Sequence, residues 1–370
     1  MRDVLDQVVS WYLTGDTFAL ATVVKTSGSA PRQPGATMAV SGDGEVVGSV
    51  SGGCVEGAIY ESAQQAIKTG QPMLDTYGIS DNDAFATGLT CGGEIQVFVQ
   101  PMSRQSFPAF TEVVASVRAH HPVALATAIA VAPAIVGADS AGAQRVIWPD
   151  RALGSLGSSG LDRAVDSDAR GLLAQGVTGQ CTYGQQGERR RDEVAVFVRS
   201  FAPPPRMLVF GAIDFAAAVS RVGKFLGYHV TVCDARGIFA TRQRFPDADE
   251  VIVNWPHRYL AETVVDSRTA ICVLTHDPKF DIPLLTAALR TPAGYVGALG
   301  SRRTHDDRIR RLREIGVTEE ELQRLHSPIG LDIGARTPEE TAISIAAELT
   351  QMRWGGTGRP LSVTAGPIHH

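Results

Sequence analysis

Two cysteines stand among glycines where thiol chemistry is favoured. The first is Cys54, in GSVSGGCVEGAIYESA (residues 48–63), and the second is Cys91, in GLTCGGEIQVFVQ (residues 88–100). Val55, Ile59, Ala63, Ala66 and Ile67 form an apolar stripe with helical spacing, which puts Cys54 at a helix start. The unpaired amides and the dipole at that end favour negative charge and lower a thiol's pKa. The thiolate is both the nucleophile and the metal-binding form. Ser51, Gly52 and Gly53 carry little or no side chain, so an anionic ligand can approach their amides. Cys91, followed by Gly92 and Gly93, repeats the arrangement before a strand. A third small-residue loop, TSGSAPRQPG (residues 26–35), adds Arg32 as an anion partner. A redox pair is the alternative use of the two thiols, and it needs their Cα atoms within about 7 Å.

The elements that position these turns are duplicated. ALAT occurs at residues 19–22 and again at 124–127, each time after a short helical pattern (Val4 to Leu13; Phe110 to Ala119). GSV (48–50) matches GSL (154–156). At the same offset the helix stripe maps onto Leu161, Val165, Ala169, Leu172 and Leu173, and Thr76-Tyr77-Gly78 maps onto Thr182-Tyr183-Gly184. EIQVFV (94–99) resembles EVAVFV (193–198). The copies differ at the thiols: Gly160 stands for Cys54, Ser158-Ser159 for Gly52-Gly53, and Arg190-Arg191-Asp192 for Cys91-Gly92-Gly93. Packing of the repeated unit therefore does not call for the cysteines.

After Pro203-Pro204-Pro205, a stiff connector, short β-branched runs alternate with helices. The runs are 207–210, 230–234, 251–254, 270–275 and 295–299, the pattern of a parallel sheet covered on both faces. Thr337-Pro338-Glu339-Glu340 opens the last long helix with a capping box. The expected fold is α/β: an N-terminal mixed α/β domain with an internal duplication, then a Rossmann-like parallel-sheet domain with helices on both faces. Boundaries are 1–202 (halves of about 1–101 and 102–202), the linker 203–205, 206–355, and a tail 356–370.

RMLVFGAIDFAAA has the strand, glycine turn and helix of a dinucleotide site. Gly211 sits in the turn, and Asp234 ends the next strand roughly 20 residues on. An NAD(P)-dependent oxidoreductase is the alternative this layout supports. Ile213, where a second glycine is needed, and the charge of Asp214 disfavour NAD(P). Two other loops at strand ends are richer: LTHDPKFD, with His276 and Asp277, and GSRRTHDDR, with Ser301, Arg302 and Arg303 at a helix start suited to phosphate. Arg310, Arg311 and Arg313 read as a solvated helix face. His276 and Asp277 have no serine elbow and form no triad.

The chain has 370 residues, 44% of them hydrophobic, and a formal net charge of −5. That charge argues against nucleic-acid binding by bulk electrostatics. The acidic N-terminus does not read as a signal peptide, and the apolar run 123–137 is too short to span a bilayer. Five widely spaced cysteines fit a reducing cytoplasm, and no CxxC or HExxH spacing suggests zinc. Cys181, Cys233 and Cys272 lie in or beside apolar strands and read as core.

The chain resembles the XdhC/CoxI family of accessory factors for molybdenum hydroxylases. The matching strings are GSAPRQPGATMAV, GSVSGGCVE, LTCGGEIQVFVQP, RFPDADEVIVNWP, LTHDPKFD, GALGSRRTH and PIGLDIGARTPEETAISIAAEL, in the family's order. The resemblance implies a protein, more a cofactor chaperone than an enzyme, that binds the molybdenum cofactor (molybdopterin or its dinucleotide form), assists its sulfuration and delivers it to an apo molybdenum hydroxylase. Cys54 and Cys91 are then candidate molybdenum ligands or sulfur relays, with a cysteine desulfurase as a further partner. GAIDF (211–215) departs from the GAGHV-type turn of many relatives. A homodimer is a further expectation, from the extended surfaces of a duplicated domain.

Overall fold

A computed structural model describes residues 2–28, 30, 32–78, 93–131 and 141–365. The chain divides between Pro203 and Pro204 into two compact units.

The first unit repeats one plan twice. Its first half runs α1 (Leu5–Thr14), β1 (Phe18–Ser27), β2 (Thr37–Ser41), β3 (Val46–Gly48), α2 (Glu56–Thr69), β4 (Met73–Tyr77) and β5 (Glu94–Met102). Its second half runs α3 (Phe110–Arg118), β6 (Val123–Val131), β7 (Gln144–Ile147), β8 (Ala152–Gly154), α4 (Ser159–Gln175), β9 (Gly179–Tyr183) and β10 (Val194–Phe201). The sheet orders are β3-β2-β1-β5-β4 and β8-β7-β6-β10-β9, and each neighbouring pair is antiparallel. The duplication expected from sequence is thus a duplicated topology.

Each sheet is buried on both faces because successive side chains of a strand point to opposite sides. Ala19, Ala21 and Val23 of β1 pack on the α2 stripe of Val55, Ile59, Ala63 and Ala66. The equivalent positions Ala124, Ala126 and Ala128 pack on Leu161, Val165, Ala169 and Leu173 of α4. Alanines on the strands leave room for the helices to lie close. Between the halves, Leu20 and Leu125 join a core with Trp11, Phe110 and Trp148, while Val24, Phe98, Ile129 and Phe197 make a smaller cluster.

The second unit runs β11 (Arg206–Phe210), α5 (Asp214–Phe225), β12 (His229–Asp234), β13 (Glu250–Val253), α6 (Pro256–Glu262), β14 (Ala270–Val273), α7 (Pro278–Ala288), β15 (Tyr295–Ala298), α8 (Arg302–Glu314), α9 (Glu319–Leu322), β16 (Leu325–His326) and α10 (Pro338–Trp354). The strands form one parallel sheet ordered β13-β12-β11-β14-β15-β16, the doubly wound arrangement. Met207 and Val209 face α5 and α10, whereas Leu208 and Phe210 face α6, α7 and α8. The five expected strands are present, and β16 is an addition too short to carry a pattern. The Thr337–Glu340 capping box is formed on α10.

Candidate functional site

The GGC turn lies between β3 and α2. Helix α2 begins at Glu56, so Cys54 stands two residues ahead of the first helical residue, and the N-cap position, Val55, has no side-chain cap. Glu56 does the capping by folding back. Its Oε1 accepts hydrogen bonds from the amides of Val50 (3.3 Å), Ser51 (2.9 Å) and Gly52 (3.0 Å) and from the Ser49 hydroxyl (2.7 Å). Its Oε2 accepts from the amides of Gly53 (2.8 Å) and Val55 (3.2 Å) and from the Ser51 hydroxyl. The Cys54 amide donates to Ser51 Oγ at 3.1 Å. Gly52 and Gly53 have φ of 83° and 118°, which turns their amides inward and favours glycine at both positions. Burial raises the Glu56 carboxyl, but the hydrogen bonds from Ser49, Ser51 and the backbone outweigh it and hold it well below the carboxylate range.

This corrects the expectation that Gly52 and Gly53 leave amides open to an external anion. An internal carboxylate fills them. The omission has a physical reason: Glu56 sits inside the quoted string, where an acid favours a helix N-terminus, yet side-chain direction is not legible from spacing.

The second copy builds this point differently. Helix α4 starts at Ser159, the counterpart of Gly53, with Ser158 as an ordinary N-cap whose hydroxyl accepts from the Leu161 amide at 3.2 Å. Three residues that are helical in α4 are therefore unwound in the first copy. A Cβ on Gly160, the counterpart of Cys54, would lie 2.2 Å from the Gln186 carbonyl oxygen, so a cysteine does not fit there. Cys54 itself is half-buried and packs against the first half's core. Arg32 is exposed, and its charge acts on the Asp3 carboxylate. Cys91 and Gly92 lie outside the described residues, while Gly93 is buried just before β5. Among the described residues no group of three or more His, Cys, Asp and Glu side chains is placed to hold a metal.

In the second unit the loops at the carboxyl ends of the strands are tied together from beneath. Arg308 of α8 and Asp281 of α7 form an ion pair at 3.0 Å, with side chains 3% and 5% exposed. Arg308 also donates to Ser327 Oγ and to the Leu299 carbonyl, and Asp281 accepts from the Thr275 hydroxyl. This pair lies within the strings LTHDPKFD and GSRRTHDDR, and sequence reasoning passed over both members. Above it, Asp277 caps α7 by accepting from the Lys279 amide, a bond that lowers its carboxyl pKa, and Ser301 caps α8. His276, Arg302 and Arg303 are exposed. Arg310, Arg311 and Arg313 pair with Asp307, Glu314 and Glu319, the solvated face expected of them.

The dinucleotide layout is present but occupied. Asp234 Oδ2 accepts from the Ala212 amide (2.8 Å) and from Arg236 Nη2 (2.8 Å), while Oδ1 accepts from the Arg236 amide and Nε. Burial raises this carboxyl, yet the Arg236 and Ala212 bonds hold it below its ordinary value. Both oxygens of Asp234 are thus engaged within the protein. Gly211 (φ 111°) is fixed by packing, since a Cβ there would lie 2.9 Å from the Thr275 amide nitrogen. Cys233 and Cys272 are buried, and burial pushes each thiol up to about 12. Cys181 is raised by burial as well.

Comparison with known proteins places both units. Residues 207–349 match the XdhC Rossmann domain, and residues 11–78 and 116–184 match the XdhC and CoxI family, so the family model falls once on each half of the duplication. A probable xanthine dehydrogenase subunit of Bacillus subtilis is 26% identical over 90% of this chain and 92% of its own. The molybdenum cofactor insertion chaperone PaoD of Escherichia coli is 26% identical over 95% of this chain and 88% of its own. A crystal structure described as a xanthine dehydrogenase from Bacillus halodurans superposes with a TM-score of 0.67 at 25% identity, covering 97% of both chains. With both units matched in order, the chain belongs to the XdhC and CoxI family.

Proposed function

We propose that this protein binds the molybdenum cofactor as cargo, assists its sulfuration, and inserts it into an apo molybdenum hydroxylase of the xanthine dehydrogenase type. The observation that carries the reading is the unwound GGC turn, built around Glu56 in one copy of the duplication and replaced by an ordinary capped helix in the other. A turn held by so many hydrogen bonds to one carboxylate presents Cys54 in a fixed place, which is what a binding thiol needs. The names of the B. subtilis and E. coli relatives point the same way.

In this reading Cys54 and Cys91 meet the cargo, as molybdenum ligands or as carriers of a sulfur delivered by a cysteine desulfurase. Ser51, Gly52 and Gly53 shape the turn of Cys54. Because Glu56 fills the amides, neutralisation of the cargo's phosphate falls to exposed arginines, with Arg32 the candidate of the first unit and Arg302 and Arg303 a separate candidate pair of the second. His276, beside the Asp277 cap, is the remaining exposed candidate at the strand ends. The cytoplasm is the compartment that suits the thiols. Among the described residues no helix is long and apolar enough to cross a membrane.

The oxidoreductase alternative draws on the sheet order alone. The engagement of Asp234 by Arg236 and Ala212 speaks against it. Reconstitution separates the two readings. An apo molybdenum hydroxylase mixed with the cofactor-loaded protein should gain activity, and saturable NAD(P) binding with hydride transfer in place of that gain overturns the proposal.

A further inference from the structure

Between the two sheets of the first unit lies a cavity of about 30 Å³, lined in near-equivalent pairs by the two copies. Thr22 and Thr127 correspond, as do Phe98 and Phe197. In β1–β5 pairing Leu20 stands opposite Gln100, and in β6–β10 pairing Leu125 stands opposite Arg199. At this pair the charge equivalence is broken: a neutral amide in the first copy is a guanidinium in the second.

Arg199 is 7% exposed. Among the described residues its one hydrogen bond goes from Nη2 to Thr22 Oγ1, at 2.9 Å, although a guanidinium carries five N–H donors. Among the described residues no carboxylate lies within ion-pair distance of it; the Asp3 charge acts on it from beyond that distance. Burial lowers its pKa to about 10, so the group stays cationic at neutral pH. The guanidinium also lies over the Phe197 ring, 6.0 Å from its centroid, but among the described residues it has no paired counter-charge, which is unfavourable for a buried cation. A second buried polar atom faces the same region: Gln144 Oε1 has no partner, while Gln144 Nε2 donates to Gln100 Oε1 at 3.3 Å.

We propose that this cavity is a halide site, with one chloride-sized anion held by the Arg199 guanidinium and one water donating to Gln144 Oε1. A water-sized particle needs roughly 10–15 Å³ of such space, so the volume admits about two particles. The site is independent of cargo binding.

The test uses the full chain exchanged into sodium gluconate. Titration with sodium bromide at constant ionic strength should raise the melting temperature saturably, by about 3–6 °C near a hundredfold excess over Kd. The rise should vanish in Arg199→Gln, which carries the residue the first copy already accommodates. Crystals of the wild type soaked in bromide should show an anomalous peak in the cavity, a reading that does not depend on the variant folding. A cavity without bromide density, or a wild type and variant that respond to bromide alike, overturns the proposal.

Discussion

The Glu56 carboxylate sits 2.8 Å from the Gly53 amide, and through that contact and its companions one side chain closes the turn that carries Cys54. Replacement of Glu56 by glutamine removes the charge and half of the acceptor capacity. We expect a loss of about 1–3 kcal/mol in urea unfolding, because hydrogen bonds to charged groups are the stronger kind.

The same carboxylate sets an acid limb. Its folded pKa lies below its ordinary value of 4.5, so its contribution is complete above that value and fades as pH falls beneath it. Melting temperatures measured from about pH 6 down to about pH 3 should fall more steeply for the wild type than for Glu56→Gln. Parallel curves would rule out this role.

Breaking the buried Asp281–Arg308 pair should be costly in either direction. Asp281→Asn and Arg308→Met should each destabilise the protein by about 3–5 kcal/mol, and the double variant Asp281→Leu/Arg308→Met by less than the sum. Urea unfolding of the cycle measures this.

Gly211 is held by space as well as by its φ of 111°. Gly211→Ala should lose about 1–3 kcal/mol, read as a lowered melting temperature, since the neighbour at 2.9 Å is backbone and cannot rotate away.

Thiol reactivity should separate the cysteines. In the native protein Cys233 and Cys272, with pKa values pushed up to about 12, should resist iodoacetamide at neutral pH. Cys54, which is half-buried, should alkylate ahead of both, and denaturant should equalise the three. Mass spectrometry of the modified peptides reads the order.

The periodicity of Val55, Ile59, Ala63 and Ala66 is enough to place α2, although the helix starts at Glu56 and not at Cys54, and its echo in Leu161, Val165 and Ala169 is enough to reveal the second copy. Both depend on spacing along one chain segment. What escaped was of another kind. Glu56 reaches backward over its own turn, Arg308 and Asp281 meet across two helices, and Arg199 is buried between two sheets. Each depends on where a charged side chain points after folding, and apolar patterning carries no information on that. Asp234 is the mirror case: its position at the end of β12 was legible, but its engagement by Arg236 two residues on was not.

If the turn around Cys54 holds the molybdenum cofactor, as proposed, loading depends on that thiol. The most direct test is the molybdenum and pterin content per chain after expression with molybdate, for the wild type, Cys54→Ala and Glu56→Gln. Bound molybdenum and pterin are expected in the wild type, with at least a roughly tenfold loss in Cys54→Ala while the melting temperature is kept, a loss of about 1.4 kcal/mol or more in binding. A wild type without pterin under conditions that load a client enzyme, or a Cys54→Ala variant as fully loaded as the wild type, would contradict the proposal.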